Sequence, residues 1–131
     1  MSVDPRYSPE VLRRLRETPG AGDAPAGFAV AHGQAGDREH GAEVSLQFVV
    51  VDGRVRSGHF RVFGCPHLIA AASWVTERLR GASREEVAAW DWHEAVSALA
   101  VPPGKFGRLL TLQDAVRSAG GNWPVADGST V

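Results

Sequence analysis

Thiols are almost absent: Cys65 is the only cysteine in 131 residues. An internal disulfide is therefore excluded, as is any Cys-x-x-Cys metal site, and a reducing compartment, the cytoplasm, is the expected setting. No apolar run approaches the roughly 18 residues of a membrane span, so no membrane insertion is expected. The opening Met1-Ser2-Val3-Asp4-Pro5-Arg6 lacks the basic-then-apolar order of a secretory signal. Charge of one sign is missing too. Fourteen basic residues face 15 acidic ones, for a net charge of −1, which argues against nucleic acid as a general partner. There is no internal repeat. What is present is ordinary: 44% apolar and 22% charged residues fit a single globular domain. A chain of this length buries roughly two-thirds of its unfolded surface, enough to fold without metal or disulfide.

Local signals divide the chain into helices and strands. Ser8-Pro9-Glu10 starts a helix by cap, first-turn proline and dipole complement, with Val11, Leu12 and Leu15 on one face and a stop at Thr18-Pro19-Gly20. Phe28-Ala29-Val30-Ala31 is a short strand candidate, and residues 32–41 read as a mobile polar loop. Val44, Leu46, Phe48 and Val50 alternate with polar residues, which predicts a strand over 43–51. Asp52-Gly53 then turns the chain into a returning strand over 54–63, Phe60 and Val62 on one face, Arg61 and Phe63 on the other.

A helix follows from Pro66 to about Arg80, with Ile69, Ala72, Val75, Thr76 and Leu79 as its apolar stripe. Ser83 with Glu86 and Asp91 with Glu94 read as capping boxes for short helices over 84–89 and 92–100. Val101-Pro102-Pro103-Gly104-Lys105 reads as a rigid extended connector. The last helix is expected over 106–119, with Phe106, Leu109, Leu110 and Val116 toward the core and Gly120-Gly121 ending it. The domain then covers 1–121, and 122–131 is a loose tail pinned by Trp123. The fold class is α+β, a small antiparallel sheet of about three strands packed against several helices.

Cys65 carries the chemical interest. Gly64-Cys65-Pro66 ends a strand, and Pro66 suits the first position of a helix, so Cys65 falls at its N-cap. A thiol there faces unpaired N–H groups and the positive end of the dipole. Both favour thiolate, the form that binds soft metals and attacks sulfur. The plain alternative is a small buried hydrophobe, which free cysteine often is. His67, two residues on, offers a hydrogen bond or a further ligand. His40 sits in the polar loop, His32 at the end of the first strand candidate, His59 in the returning strand, and His93 in the first turn of a short helix, where it is expected to be solvated. No two histidines show the i, i+4 spacing of a helical metal site.

With these residues in place, the chain resembles the IscU/NifU-type iron–sulfur cluster scaffold family over about residues 7–119. Tyr7-Ser8 through Glu17-Thr18-Pro19 is similar to the family's N-terminal segment. Phe60-Arg61-Val62-Phe63-Gly64-Cys65 is similar to its Phe-x-x-Tyr-Gly-Cys, and residues 70–77 to its small-residue helix ending in Val-Thr-Glu. Pro102-Pro103-Gly104-Lys105 resembles the family's chaperone-recognition segment, and Leu112-Gln113-Asp114-Ala115-Val116 its Ala-Glu-Asp-Ala-Ile. The resemblance implies three cysteine ligands with an aspartate beside the first. Cys65 matches the second. In the ungapped register, which is preferred, His40 takes the place of the first cysteine and Ala42 that of the aspartate. A register with a five-residue insertion instead matches Ala35-Gly36-Asp37 and keeps the aspartate as Asp37. The third cysteine falls on Arg108 and its neighbouring histidine on Gly107.

Two of the three cysteines are thus missing, and Arg108 sets a fixed positive charge where a metal ligand is expected. The resemblance implies a scaffold or binding protein rather than an enzyme. It would take an atypical cluster, iron or zinc through Cys65 and His40, with His67 or Asp37 as a third ligand, or accept sulfur on Cys65. A second reading is a regulatory module that docks to sulfur-transfer or chaperone partners without a cluster. A third, thiol catalysis by Cys65, lacks a partner signature. The implied partners are a cysteine desulfurase and an Hsp70-type chaperone bound through Pro102, Pro103 and Lys105. A monomer or weak homo-oligomer is expected.

Overall fold

Ser8 starts the first helix as its sequence predicts. Its hydroxyl accepts from the Val11 N–H at 3.2 Å and donates to the Leu99 carbonyl at 2.7 Å. The computed structural model describes residues 6–124. Helix α1 (Pro9–Glu17) is followed by strands β1 (Val30–Asp37), β2 (Ala42–Val51) and β3 (Arg54–Phe63). Then come helices α2 (Pro66–Arg78), α3 (Arg84–Ala88), α4 (His93–Leu99) and α5 (Phe106–Gly121), with a 3₁₀ turn at Pro103–Lys105 before α5. The sheet is antiparallel in the order β1-β2-β3. Helix α5 lies against β1 and β2, α2 against β3, and α1 against α2. This is the expected α+β class.

The sheet's inner face is the predicted alternation. Val44, Leu46, Phe48 and Val50 of β2 are buried, as are Val55 and Phe60 of β3. Asp52 and Gly53 both adopt positive φ in the hairpin turn, 53° and 76°, the geometry a two-residue connection demands. Leu68, Val75, Leu109, Leu112 and Val116 complete the core from the helices.

Several sequence expectations are corrected. Residues 32–37 are not loop. They continue β1, hydrogen-bonded along β2 from Val30↔Val49 to Asp37↔Ala42, and only residues 38–41 form the turn. The inward positions of β1 are Ala31, Gly33 and Ala35, small residues that carry no strand propensity. A methyl group on Gly33 would collide with the Ala115 carbonyl of α5, so smallness lets the helix settle on the strand. In α1 the second buried residue is Arg14, not Leu12. In α2, Ile69 is only half-buried while Leu68, Ala70 and Ala71 are buried, because that helix is covered on several sides.

The Ser83–Glu86 capping box is present, but the Asp91–Glu94 box is not. The Asp91 carboxylate turns to the His93 N–H at 2.8 Å, and Glu94 accepts from the Trp90 indole at 3.2 Å. The connector before α5 is not extended throughout but coils into the 3₁₀ turn. Leu110 is 44% exposed, and Gly120 and Gly121 lie inside α5 rather than ending it. At the start of the expected tail, the Asn122 amide donates to the His32 carbonyl at 2.9 Å and Trp123 packs half-buried on the core. Residues 125–131 lie outside the described residues. None of the described helices is long and apolar enough to cross a membrane.

Candidate functional site around Cys65

Cys65 is the N-cap of α2, with extended backbone (φ −75°, ψ 164°) and Pro66 next to it. Its carbonyl accepts from the Leu68 and Ile69 N–H groups at 3.0 and 3.1 Å, which starts the helix. Its side chain makes no capping hydrogen bond. The thiol is free, half-buried, and packs partly against the core. The backbone thus fixes where the sulfur sits without engaging it.

The β1–β2 turn brings His40 and Asp37 together. The His40 N–H donates to Asp37 Oδ1 at 2.8 Å, and His40 Nδ1 lies 2.7 and 2.8 Å from the two carboxylate oxygens. These bonds hold the Asp37 carboxyl below its ordinary range, the backbone N–H contributing most. A carboxylate on Nδ1 favours the tautomer that leaves Nε2 free as an acceptor or ligand. The His40 side chain is 83% exposed. The two sequence registers, one favouring His40 and the other Asp37, therefore point to the same turn.

Arg108, in the first turn of α5, reaches that turn as well. Its Nη1 donates to the His40 carbonyl at 3.1 Å. The guanidinium packs over Gly41, whose φ is +81°; a methyl there would sit 3.4 Å from Nη2. A methyl on Gly64 would in turn lie 3.6 Å from the Gly41 carbonyl oxygen. Three separate segments thus meet: the His40–Gly41 turn, the Gly64–Cys65 junction, and the start of α5. Phe63 beside the junction is 44% exposed, with Arg38 stacked 4.9 Å from its ring.

His67 is placed differently. It is buried, its ring 4.9 Å from that of Tyr7 and tilted by 47°. Burial pushes its pKa below the ordinary value, with the Lys105 ammonium adding to the effect and the Arg6 backbone opposing it. Neither ring nitrogen makes a well-formed hydrogen bond. Pro102 and Lys105 stand beside His67, while Pro103 is exposed in the 3₁₀ turn. Among the described residues no three His, Cys, Asp or Glu side chains lie close enough together to hold a metal ion. Arg6, which lines one cavity with His67 and Lys105, gave no signal in the sequence, because its place beside them follows from tertiary packing. Of the other histidines, His32 faces Ser45, His59 faces Ser57 and His93 pairs with Asp91.

Fold and site together define a small α+β protein with one cysteine at a helix N-cap where three chain segments meet. The family described as NifU-like N terminal domain matches residues 6–127. The chain belongs to that family. It is 30% identical over 116 residues to "Iron sulfur cluster assembly protein 2, mitochondrial" of Saccharomyces cerevisiae, covering 86% of this chain and 74% of that protein. It is 32% identical over 91 residues to "Iron-sulfur cluster assembly scaffold protein IscU" of Escherichia coli K12, covering 69% and 71%. Among solved structures, a putative iron–sulfur cluster assembly scaffold protein for the SUF system from Fervidobacterium islandicum superposes with a TM-score of 0.66. It is 16% identical and covers 88% of this chain and 96% of that one; that likeness supports the fold.

Proposed function

We propose that this chain is a scaffold-type protein of iron–sulfur cluster assembly and that Cys65 is where its sulfur or metal cargo attaches. The observation that carries the reading is the Cys65 thiol, held at the α2 N-cap without a capping bond, at the junction the His40 turn touches. A [2Fe–2S] cluster takes four ligands, mostly thiolates, with histidine a known replacement. One chain supplies a single thiolate and, among the described residues, no group of three donors, so a standard all-cysteine site does not fit. The reading is therefore an atypical cluster, iron or zinc held by Cys65 and His40, with Asp37 behind the imidazole, or sulfur accepted on Cys65. Anaerobic incubation with iron and sulfide tests it. Visible absorbance and bound metal, both lost in Cys65→Ser, are expected; a colourless, metal-free protein ends the metal-binding version of the reading.

Arg108 favours a second reading. A guanidinium bonded to the His40 carbonyl places positive charge against any cation at the junction. On that reading the fold docks to a cysteine desulfurase or an Hsp70-type chaperone without a cluster, through Pro102, Pro103 and Lys105. A pull-down with the purified chain decides it: recovery of neither partner class removes its support. The lone thiol favours a reducing compartment such as the cytoplasm, although some relatives carry "mitochondrial" in their names.

A further inference from the structure

The two edges of the sheet are finished differently. Along β3 the chain covers its own edge. The Phe60 N–H donates to the Gly20 carbonyl at 2.8 Å, and the Phe60 carbonyl accepts from the Gly22 N–H at 2.9 Å. At the other end of the strand, the Val55 N–H donates to the Ala82 carbonyl at 2.9 Å and the Val55 carbonyl accepts from the Gly81 N–H at 2.8 Å. An Arg61–Asp23 ion pair at 2.6 Å ties the first covering segment down.

Strand β1 is the other edge. The Ala29 carbonyl accepts from the Val50 N–H at 2.9 Å, and the register with β2 runs unbroken from Val30 to Asp37. Antiparallel pairing alternates, so Ala29, Ala31 and Gly33 turn their backbone groups to β2, while Val30, His32 and Gln34 turn theirs outward. The Asn122 amide on the outward His32 carbonyl, at 2.9 Å, agrees with that alternation. Among the described residues it is the only group bonded to this outward row. Edge strands are commonly guarded by lysine, proline or a bulge. From Val30 to Gly36, β1 has no proline, lysine, arginine or carboxylate, and no register shift.

A second observation lies beside this edge. A cavity of about 140 Å³ opens between β1 and the end of α5, lined by His32, Gly33, Gln34, Ser118 and Asn122. Gly33 faces α5. Residues opposite one another in a sheet share a face, so an added strand would set the side chain opposite Gly33 on the cavity side. The lining offers a hydroxyl and side-chain amides and no fixed charge.

We propose that the β1 edge takes up an extended peptide from a partner protein, whichever cargo Cys65 carries. The peptide adds a strand through backbone hydrogen bonds and sets a short hydroxyl or amide side chain in the cavity. A second copy of this chain fits less well. Thr111, Ser118 and Asn122 of the α5 end flank the edge, and they give a dimer little apolar surface to bury.

The probe is the capped peptide Lys-Thr-Val-Thr-Val-Thr-Lys, titrated into the isotope-labelled full chain. Saturable amide shifts are expected along Val30 to Gln34 and at Ser118 and Asn122, with slowed hydrogen exchange at His32 and Gln34. With threonine on the α5 side, the valine N–H groups face β1. N-methylation of the valines is therefore expected to weaken binding at least about tenfold. Leucine in place of threonine is expected to weaken it about as much, because the cavity wall is polar. Gln34→Pro removes an outward N–H without disturbing the bonds to β2 and is expected to abolish the shifts. The N-methylated peptide alters only the probe, so it decides the matter even where that variant fails to fold. No saturable shifts, shifts centred on another surface, or equal binding of the N-methylated peptide overturns the proposal. Equal binding of the leucine peptide overturns the part given to the cavity. Slow exchange of the His32 and Gln34 amides in the free chain shows an edge already covered and overturns it too. Should that protection rise with protein concentration alongside a doubled mass, the occupant is a second copy.

Discussion

At Arg108 a guanidinium stands in the segment where the family resemblance places a ligand cysteine, and its bond to the His40 carbonyl ties the turn to α5. The charge and the tether have separable consequences. A fixed positive charge beside a partly solvated site disfavours a divalent cation by at least about 1.4 kcal/mol, a factor of ten. Arg108→Ala is therefore expected to raise Cys65-dependent zinc affinity about tenfold in competition with a chromogenic chelator. An unchanged affinity would mean that the guanidinium is too far from the thiol to matter. Cys65→Ser should leave denaturation within about 0.5 kcal/mol of the parent, because serine is a good N-cap and the site is only half-buried. A much larger loss would instead make Cys65 a packing residue first.

At the scale of elements, α1 is held by an ionic cluster rather than by a greasy stripe. Arg14 Nε reaches Glu10 at 2.7 Å and its Nη1 reaches Glu77 of α2 at 2.6 Å. The same guanidinium donates to Ser73 Oγ at 3.1 Å, and that hydroxyl donates to the Pro19 carbonyl at 2.8 Å. Arg14 is 6% exposed, but Glu10 and Glu77 are about a third exposed, so the cost of breaking the cluster falls below that of a fully buried pair. Arg14→Met is expected to lose about 2 kcal/mol in urea denaturation. The pH response has a defined sign. Hydrogen bonding from Arg13, with Arg14 assisting, holds the Glu10 carboxyl below its ordinary value of 4.5. Its stabilisation is complete above that value and fades as the pH falls through the lowered pKa. Glu10→Gln should flatten this acid limb, and an unchanged limb would show that Glu10 contributes nothing to it.

Legibility varied by element for physical reasons. Strands β2 and β3 and the start of α2 were readable because large apolar residues alternate, Asp-Gly turns the chain, and Pro66 marks the helix start. Only the start of strand β1, Val30-Ala31, was readable; the rest was hidden because the inner face is Ala31, Gly33 and Ala35, chosen for closeness to α5 rather than for burial of large side chains. Gly33→Ala should accordingly cost about 2 kcal/mol through overpacking, whereas Gly104→Ala, with open space around it, should be near neutral. Cys65, His40 and Arg108 could be named from sequence because the family's order of segments points to them. The Asp37–His40 pair could not, because it depends on a turn that reads as loop. Nor could the gathering of Arg6, Tyr7 and Lys105 around His67, which joins segments about 100 residues apart by tertiary packing alone.

For the whole molecule, ligand counting sets the stoichiometry of any cluster. A chain of 14.0 kDa with one cysteine brings one thiolate and, at the neighbouring turn, one histidine whose Nδ1 is already engaged by Asp37. Two such chains bring two thiolates and two imidazoles, a four-ligand set of a kind known for [2Fe–2S] centres. The junction suits sharing: it lies where three segments end, with Phe63 44% exposed and the His40 ring projecting from the turn. If cargo is a cluster, the coloured species should therefore elute at about twice the monomer mass and revert to monomer when a chelator removes the iron. His40→Ala should bleach it without unfolding the chain, since that side chain is 83% exposed. A coloured species at monomer mass would mean that external thiols complete the ligand set. Colour that survives His40→Ala would remove the imidazole from the site and leave Cys65 as the only protein ligand at the junction.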